Sequence, residues 1–512
     1  MVFLKKIIFV LKEHKFFAGF LFVLAIYRFS LIFAGHLFWL DELHYLNTFT
    51  VLKNLAAGDM VEAVKSVFNA HGRPVYIIFS LLPAYMQLLC DQVGMISVGN
   101  PDFFLDLFVT GKAPSFFDPL YFVIPSAFNV LVTLGTTIVF YRLLLLLTRD
   151  RWVSLCGVVV YSLLANTNLY IRHLLPYDLS LLFFLTVLYL VLRDENEFGR
   201  HWLRVVLCGV LTAIAFLTYP GNYLFVVFLS VGVLLASKRK CVTPLIYLST
   251  AAGTLLSLEG VSRLAGVSFF KNSMKLAGNV LQGSFEEGYV FIFKYLTHVE
   301  WVMGYALLGL FAVYCVWIFP RQKGAFRWIF LTALCGYVFH ATMGVVFHKL
   351  TIYGRLLHMY IPFMVLAAML VLSAFKNRQI KLILCVVVMC LSVASFARHA
   401  LVYQKISYPL DLKFWFISRY PDLKPLRVNE FFDTSPILKA KKLPVVFVNA
   451  GKLDEVPSKF YPFTIPPNVR LLRKRLHPMC YPAYQYEGYK VHDRKHLAKQ
   501  DIYMKIYLDS DL

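Results

Sequence analysis

Apolar runs of about 20 residues, separated by short basic connections, constrain this chain more than any other feature. They occupy 16–39, 119–141, 152–170, 179–192, 203–218, 221–236, 242–258, 299–319, 328–347, 356–375 and 381–397. The fourth is short and extends into its neighbours. Coiled as a helix at ~1.5 Å per residue, such a run matches the ~30 Å hydrocarbon layer of a bilayer. A backbone there must satisfy its own N–H and C=O groups, which a helix does within one segment. The expectation is an all-α polytopic membrane protein of about eleven transmembrane helices. Composition agrees: 59% of the 512 residues are hydrophobic and 16% charged, against roughly 25% charged in water-soluble domains.

The net charge of +22 would suit nucleic acid or anionic lipid if it were gathered on one soluble face. Most of it lies instead in short connections, and no motif for reading bases accompanies it. Alternate connections carry Lys5/Lys6/Lys12/Lys15, Arg142/Arg149/Arg151, Arg193/Arg200/Arg204, Lys238/Arg239/Lys240, Arg321/Lys323/Arg327 and Lys376/Arg378/Lys381. Eleven spans place all six clusters on one side, which the positive-inside rule makes cytoplasmic. The N-terminus is then cytoplasmic and the C-terminus outside, periplasmic if the membrane is a bacterial inner membrane. The first run is too long for a signal-peptide core, and its residues read as a retained span. Six of the nine cysteines lie inside apolar runs, and no CxxC pair or His/Cys cluster has the spacing of a metal site.

One segment tests this map. Residues 73–90, "RPVYIIFSLLPAYMQLLC", are apolar but short and interrupted by Pro83. As a twelfth span they would move every later basic cluster outside, so they are expected to lie along the outer interface. Residues 1–397 then form the transmembrane module, with outer loops at 40–118 and 259–298. The second loop mixes apolar and basic residues as surface-lying helices do. Residues 398–512 lose the long runs and read as a small α+β extramembrane domain on the outer side. Within it "LPVVFVNA" and "DIYMKIYL" have strand character, and twenty Lys/Arg face eleven Asp/Glu.

Candidate chemistry gathers at the outer ends of the runs. Asp41 and Glu42, in "FWLDELHYLN", follow the first span directly. Carboxylates at that depth are paired, hydrated or in use, so they read either as an exposed loop start or as a catalytic base and metal-binding pair facing a cavity. His71 and Arg73 lie in "NAHGRPVYIIF", Arg172, His173, Tyr177 and Asp178 in "YIRHLLPYDL", Tyr219 and Asn222 in "LTYPGNY", and Lys349, Tyr353 and Arg355 in "HKLTIYGRLLHMYIP". Singly, each cation reads first as an anchor that snorkels to water. Together, at one depth, they suit an anionic lipid headgroup. Arg28 lies about 18 Å into the first span by helix rise and needs a partner or a hydrated cavity.

The order of these motifs resembles the GT-C superfamily of polyprenyl-phosphate-dependent glycosyltransferases, in particular the branch of protein O-mannosyltransferases and the lipid A aminoarabinose transferase. Carrying the resemblance are the "DE" pair after the first span, the H-x-x-P-x-Y segment from His71, the R-x-x-x-P-Y turn from Arg172, and the Y-G-R-x-x-x-x-Y-x-P segment from Tyr353. It covers roughly residues 1–375. Where that family carries a Pro-Pro motif, this chain has the single Pro74, preceded by Arg73. The resemblance implies a glycosyltransferase with Asp41 as catalytic carboxylate and Glu42 as its neighbour. His71, Arg73, Arg172, Tyr177, Tyr353 and Arg355 lie in these segments and would bind substrate, joined by Tyr219 and Lys349 from their place at other outer helix ends. It implies a polyprenyl-phosphate-linked sugar as donor, a glycan, lipid or protein as acceptor, and membrane lipids as surroundings, with no nucleic acid. If a divalent metal takes part, Asp41 and Glu42 would bind it. The competing reading is a multi-span transporter or flippase of lipid-linked sugars, for which Arg28, Asn129, His340 and His358 would line a path, although no internal repeat accompanies them.

Overall fold

A computed structural model of the chain describes residues 14–32, 43–69, 73–92, 122–169, 171, 173–193, 198, 201–280, 288–349, 354–403, 427–429, 445–451, 469–476 and 502–509. The first part runs α1 (Lys15–Ile32), α2 (Leu43–Ala56), α3 (Met60–Asn69), α4 (Pro74–Gln92), α5 (Val123–Thr148) and α6 (Arg151–Leu163). Next come α7 (Ala165–Leu169), α8 (Tyr177–Arg193), α9 (Trp202–Thr218), α10 (Tyr223–Ala236), α11 (Val242–Leu264) and α12 (Phe269–Val280). Then follow α13 (Phe291–His298), α14 (Trp301–Val313), α15 (Ala325–Val345), α16 (Ile361–Ser373) and α17 (Arg378–Tyr403). The last described segments are strands β1 (Arg427–Asn429), β2 (Val445–Gly451), β3 (Val469–Leu476) and β4 (Ile502–Asp509), in one sheet of order β1-β2-β4-β3. β1 and β2 are parallel, and β4 runs antiparallel to both β2 and β3.

Among the described residues, six helices are long and apolar enough to cross a membrane: α1, α5, α11, α14 with its continuation to Arg321, α15 and α17. The chain is a multi-pass helical membrane protein. Rows of exposed apolar side chains mark faces suited to lipid, such as Phe22, Val23 and Ile26 on α1 and Leu248 and Leu256 on α11. Three hydroxyls of α5 turn back on their own backbone. Thr133, Thr136 and Thr137 of α5 donate to carbonyls three or four residues earlier at 2.8–3.0 Å, so each polar group is satisfied within its own helix.

The bundle closes around α16, where eleven of thirteen residues are buried. Phe184 of α8 stacks on Phe225 of α10 at 4.0 Å and meets Phe363 of α16 edge-on. α9 and α11 approach closely at Gly209, where an added Cβ would sit 2.7 Å from the Tyr247 carbonyl oxygen. Small residues permit such contact between membrane helices. At the opposite side of the bundle from the candidate residues, Arg149 ends α5 in a left-handed conformation (φ 53°). Asp150 then caps α6, its carboxylate accepting the Trp152 and Val153 N–H groups at 3.0 and 3.3 Å and pairing with Lys381 of α17 at 3.0 Å.

Two elements differ from the runs read in the sequence. The run 152–170 is not one helix: it breaks at Leu164 between α6 and α7. α4 continues unbroken through Pro83 to Gln92. Two points along it meet the ends of other helices. Arg73, just before α4, lies over the Tyr219 ring at the end of α9, and Gln87 accepts the Ile124 N–H in the first turn of α5 at 3.0 Å.

Candidate functional site

The layer where those helix ends meet is rich in buried polar groups. Arg73 is buried, with its guanidinium carbon 5.4 Å from the centre of the Tyr219 ring. A cation over an aromatic face is attracted by the ring quadrupole, most strongly when desolvated. Tyr219 in turn meets Tyr177 edge-on at 4.6 Å, and Tyr177 meets His358 at 5.5 Å. All four side chains are buried, so α4, α9, α8 and the 3-10 turn Gly354–Met359 contribute to one cluster.

Hydrogen bonds hold the corner that presents Tyr219. The Asn222 amide donates to Ser180 Oγ at 2.9 Å, and that hydroxyl donates to the Ala215 carbonyl at 2.9 Å, joining α8 to α9. Asn129 of α5 donates to the His173 carbonyl at 2.9 Å, fixing the turn before α8. Deeper still, Arg28 of α1 is 1% exposed and donates to the Ser162 carbonyl at 3.3 Å. It also attracts Asp178 in the first turn of α8.

Glu300 was not singled out in the sequence, although it is the sole acidic residue between Glu287 and Asp411. It is 1% exposed, and its carboxylate accepts the N–H groups of Ala165 at 2.8 Å and Asn166 at 3.1 Å. Those are first-turn donors of α7, so a carboxylate from before α14 caps a helix begun 135 residues earlier. Its backbone carbonyl accepts Ser395 Oγ from α17 at 2.9 Å. The break between α6 and α7 is thereby tied to Glu300, just before α14, and through it to α17.

A second feature adjoins the cluster. His340 of α15 is bridged on both ring nitrogens, by Tyr223 at 2.7 Å and Tyr360 at 2.9 Å. A neutral imidazole has one donor and one acceptor nitrogen, so one tyrosine donates and the other accepts. Tyr360 also borders an apolar groove of about 260 Å³. Its walls include Ile292 and Phe293 of α13, Phe311 of α14, Phe330 of α15 and Phe363 of α16. His358 of the cluster and Tyr360 of the groove wall stand two residues apart in the chain, and the four cluster residues are not part of that wall.

Of the residues proposed from the sequence, the structure brings together Arg73, Tyr177 and Tyr219. Lys349 stands apart, exposed, with its backbone N–H bonded to the Met343 carbonyl at 2.9 Å. Asp41, Glu42, His71, Arg172 and Tyr353 lie outside the described residues, and so does the side chain of Arg355. His358, assigned in the sequence only to the transporter reading, is the addition that geometry makes to the cluster.

No family model, no curated protein and no solved structure matches this chain. The chemistry of the layer therefore rests on its own residues. Among the described residues no group of three or more His, Cys, Asp or Glu side chains is placed to hold a metal ion. What the structure offers is a buried cation over an aromatic ring, and a separate groove without charge whose wall includes Tyr360. That pairing suits a ligand anionic at one end and hydrocarbon at the other.

Proposed function

We propose that this protein is an inverting glycosyltransferase of GT-C type, moving a sugar from a polyprenyl-phosphate donor to an acceptor hydroxyl at the outer face of the membrane. One observation carries the reading: the buried Arg73–Tyr219–Tyr177–His358 cluster is followed, two residues after His358, by Tyr360 in the wall of an apolar groove. The phosphate would sit against the cations and the first isoprene units in the groove. The order of motifs from Asp41 to Arg355 adds to it.

In this reading Asp41 takes the proton of the acceptor hydroxyl as its oxygen attacks the anomeric carbon. The bond to the phosphate oxygen breaks, and the electron pair leaves on the polyprenyl phosphate. No second carboxylic acid is needed to protonate that leaving group, unlike in a glycosidase. Arg73, Arg172 and Arg355 stabilise its growing charge, and Glu42 orients Asp41 or joins it in binding a divalent metal.

The matching topology has eleven spans. The six long helices are completed by α6, α8, α9, α10 and α16, while α4 lies along the interface, as its two contacts with other helix ends favour. The N-terminus is then cytoplasmic, and residues 398–512 form an α+β domain outside, periplasmic in a bacterial inner membrane.

The test is turnover of radiolabelled polyprenyl-phosphate sugars by purified wild type, Asp41→Asn and Arg73→Gln. Expected is release of polyprenyl phosphate with label moving to acceptor. Asp41→Asn should lose at least about a hundredfold, the lower range for positioned proton transfer. Equal rates in wild type and Asp41→Asn would remove Asp41 from the reaction. Lipid flipping without any transfer would favour the transporter instead.

A further inference from the structure

The connection from α11 to α12 is built with more care than a solvent-exposed loop requires. Glu259, near the end of α11, accepts from Arg263 Nε at 2.6 Å and Ser268 Oγ at 2.8 Å on one oxygen, and from the Phe270 N–H at 3.0 Å on the other. Ser262 Oγ accepts the Phe269 N–H at 3.2 Å and Ser268 Oγ accepts the Lys271 N–H at 3.1 Å. Between them Gly266 turns the chain at φ +78°. The first-turn donors of α12 are thus capped by side chains, and the helix leaves α11 at a fixed angle.

One face of α12 is docked. Phe269 is fully buried against Phe68 of α3, with Leu217 at the end of α9 in the same apolar cluster. Asn272 donates to the Phe68 carbonyl at 3.3 Å. The other face is open. Phe270 and Met274 form an exposed apolar row, and Lys271 and Lys275 form an exposed basic row beside it. α11 shows what meets this face. Its exposed row Leu248, Leu256 and Leu264 lies on a helix apolar and long enough to span, and Leu264, 89% exposed, ends that row just before the turn into α12. The open face of α12 continues a lipid-facing surface at the level where hydrocarbon gives way to headgroups.

We propose that α12 lies in the headgroup layer and binds anionic phospholipid, with Lys271 and Lys275 on the phosphates and Phe270, Met274 and Leu264 in the acyl boundary. Amphipathic helices hold interfaces in this way, by apolar area together with attraction to anionic lipid. Because α12 is fixed to α3 and α9, the contact sets the height of the corner that carries Arg73 and Tyr219. The inference does not depend on the reaction proposed above.

A photo-crosslinking residue at Met274, in the full chain reconstituted in nanodiscs of phosphatidylglycerol and phosphatidylcholine, tests it by the intact mass of the adduct. A second crosslinker at Leu256 reports contact with acyl chains irrespective of headgroup. Expected is a lipid adduct at Met274 favouring phosphatidylglycerol by at least about fivefold, the scale of one lysine at an anionic surface. That preference should vanish in Lys271→Gln/Lys275→Gln. No lipid adduct at Met274 while Leu256 is labelled, or an adduct without headgroup preference, would overturn the proposal.

Discussion

A single carboxylate, Glu300, determines how the longest departure from simple spans is made. The run 152–170 is apolar enough to continue as one helix, but Asn166, Thr167 and Asn168 compete for backbone groups and favour a break. Glu300 reaches across and caps the second piece. Replacing it with Ala leaves two buried N–H groups without that acceptor, each costing about 1–3 kcal/mol. The expected outcome is a lower detergent-phase unfolding temperature for Glu300→Ala, with Glu300→Gln between it and wild type because its amide oxygen still accepts. Unchanged melting in both would show that α7 does not depend on the cap. The cap was not legible in the sequence, because the partner is 135 residues away and the local pattern "THVEW" reads as a span boundary. Arg73 and Tyr219 were legible as residues at helix ends, yet their contact was not. Lys349 shared the same signal and is exposed, so helix-end position alone selects candidates without placing them.

At the scale of elements, the apolar runs were readable because hydrocarbon imposes length and composition together, and six of the eleven coincide with described helices long and apolar enough to span. Helix contacts were not readable, since they depend on which small residue faces which neighbour. Gly209 and Gly253 illustrate this, both lying inside apolar helices. An added Cβ at Gly209 meets the Tyr247 carbonyl, whereas at Gly253 nothing lies within 4 Å. Gly209→Ala should therefore destabilise by about 1–3 kcal/mol through overpacking, while Gly253→Ala should be neutral or slightly stabilising, since alanine is the better helix former. Melting temperatures of the two variants decide it, and equal shifts would contradict the close approach. The Asp150 corner adds a pH dependence. Burial raises the Asp150 carboxyl's pKa, but hydrogen bonds from Lys381, Val153 and Trp152 outweigh it and hold the group below its ordinary value. A lowered folded-state value contributes stability at neutral pH that is lost as pH falls through the acid range. Wild type should lose melting temperature on acidification beyond what Asp150→Ala loses, and parallel pH profiles would refute the linkage.

For the whole molecule, the distribution of polar groups separates the two sides of the bundle. Asp150, Lys381 and the basic connections form a corner that ties helices together. The opposite layer buries Arg28, Arg73, His173, Glu300, His340 and His358. Burying that much polar surface in a membrane protein is costly unless it is paired or used, and here it borders a groove fit for hydrocarbon. The proposed glycosyl transfer would use these groups, with the cations and aromatic rings for a phosphate and the apolar wall for its lipid. Its central claim is direct displacement at the anomeric carbon, and the anomeric configuration of the product tests that most directly. Wild type would be supplied with a polyprenyl-phosphate sugar of known configuration, and the transferred sugar read by nuclear magnetic resonance against polyprenyl phosphate released. The account predicts inverted configuration with one polyprenyl phosphate released for each sugar transferred; a retained configuration, or transport of the intact lipid-linked sugar without release, would contradict it.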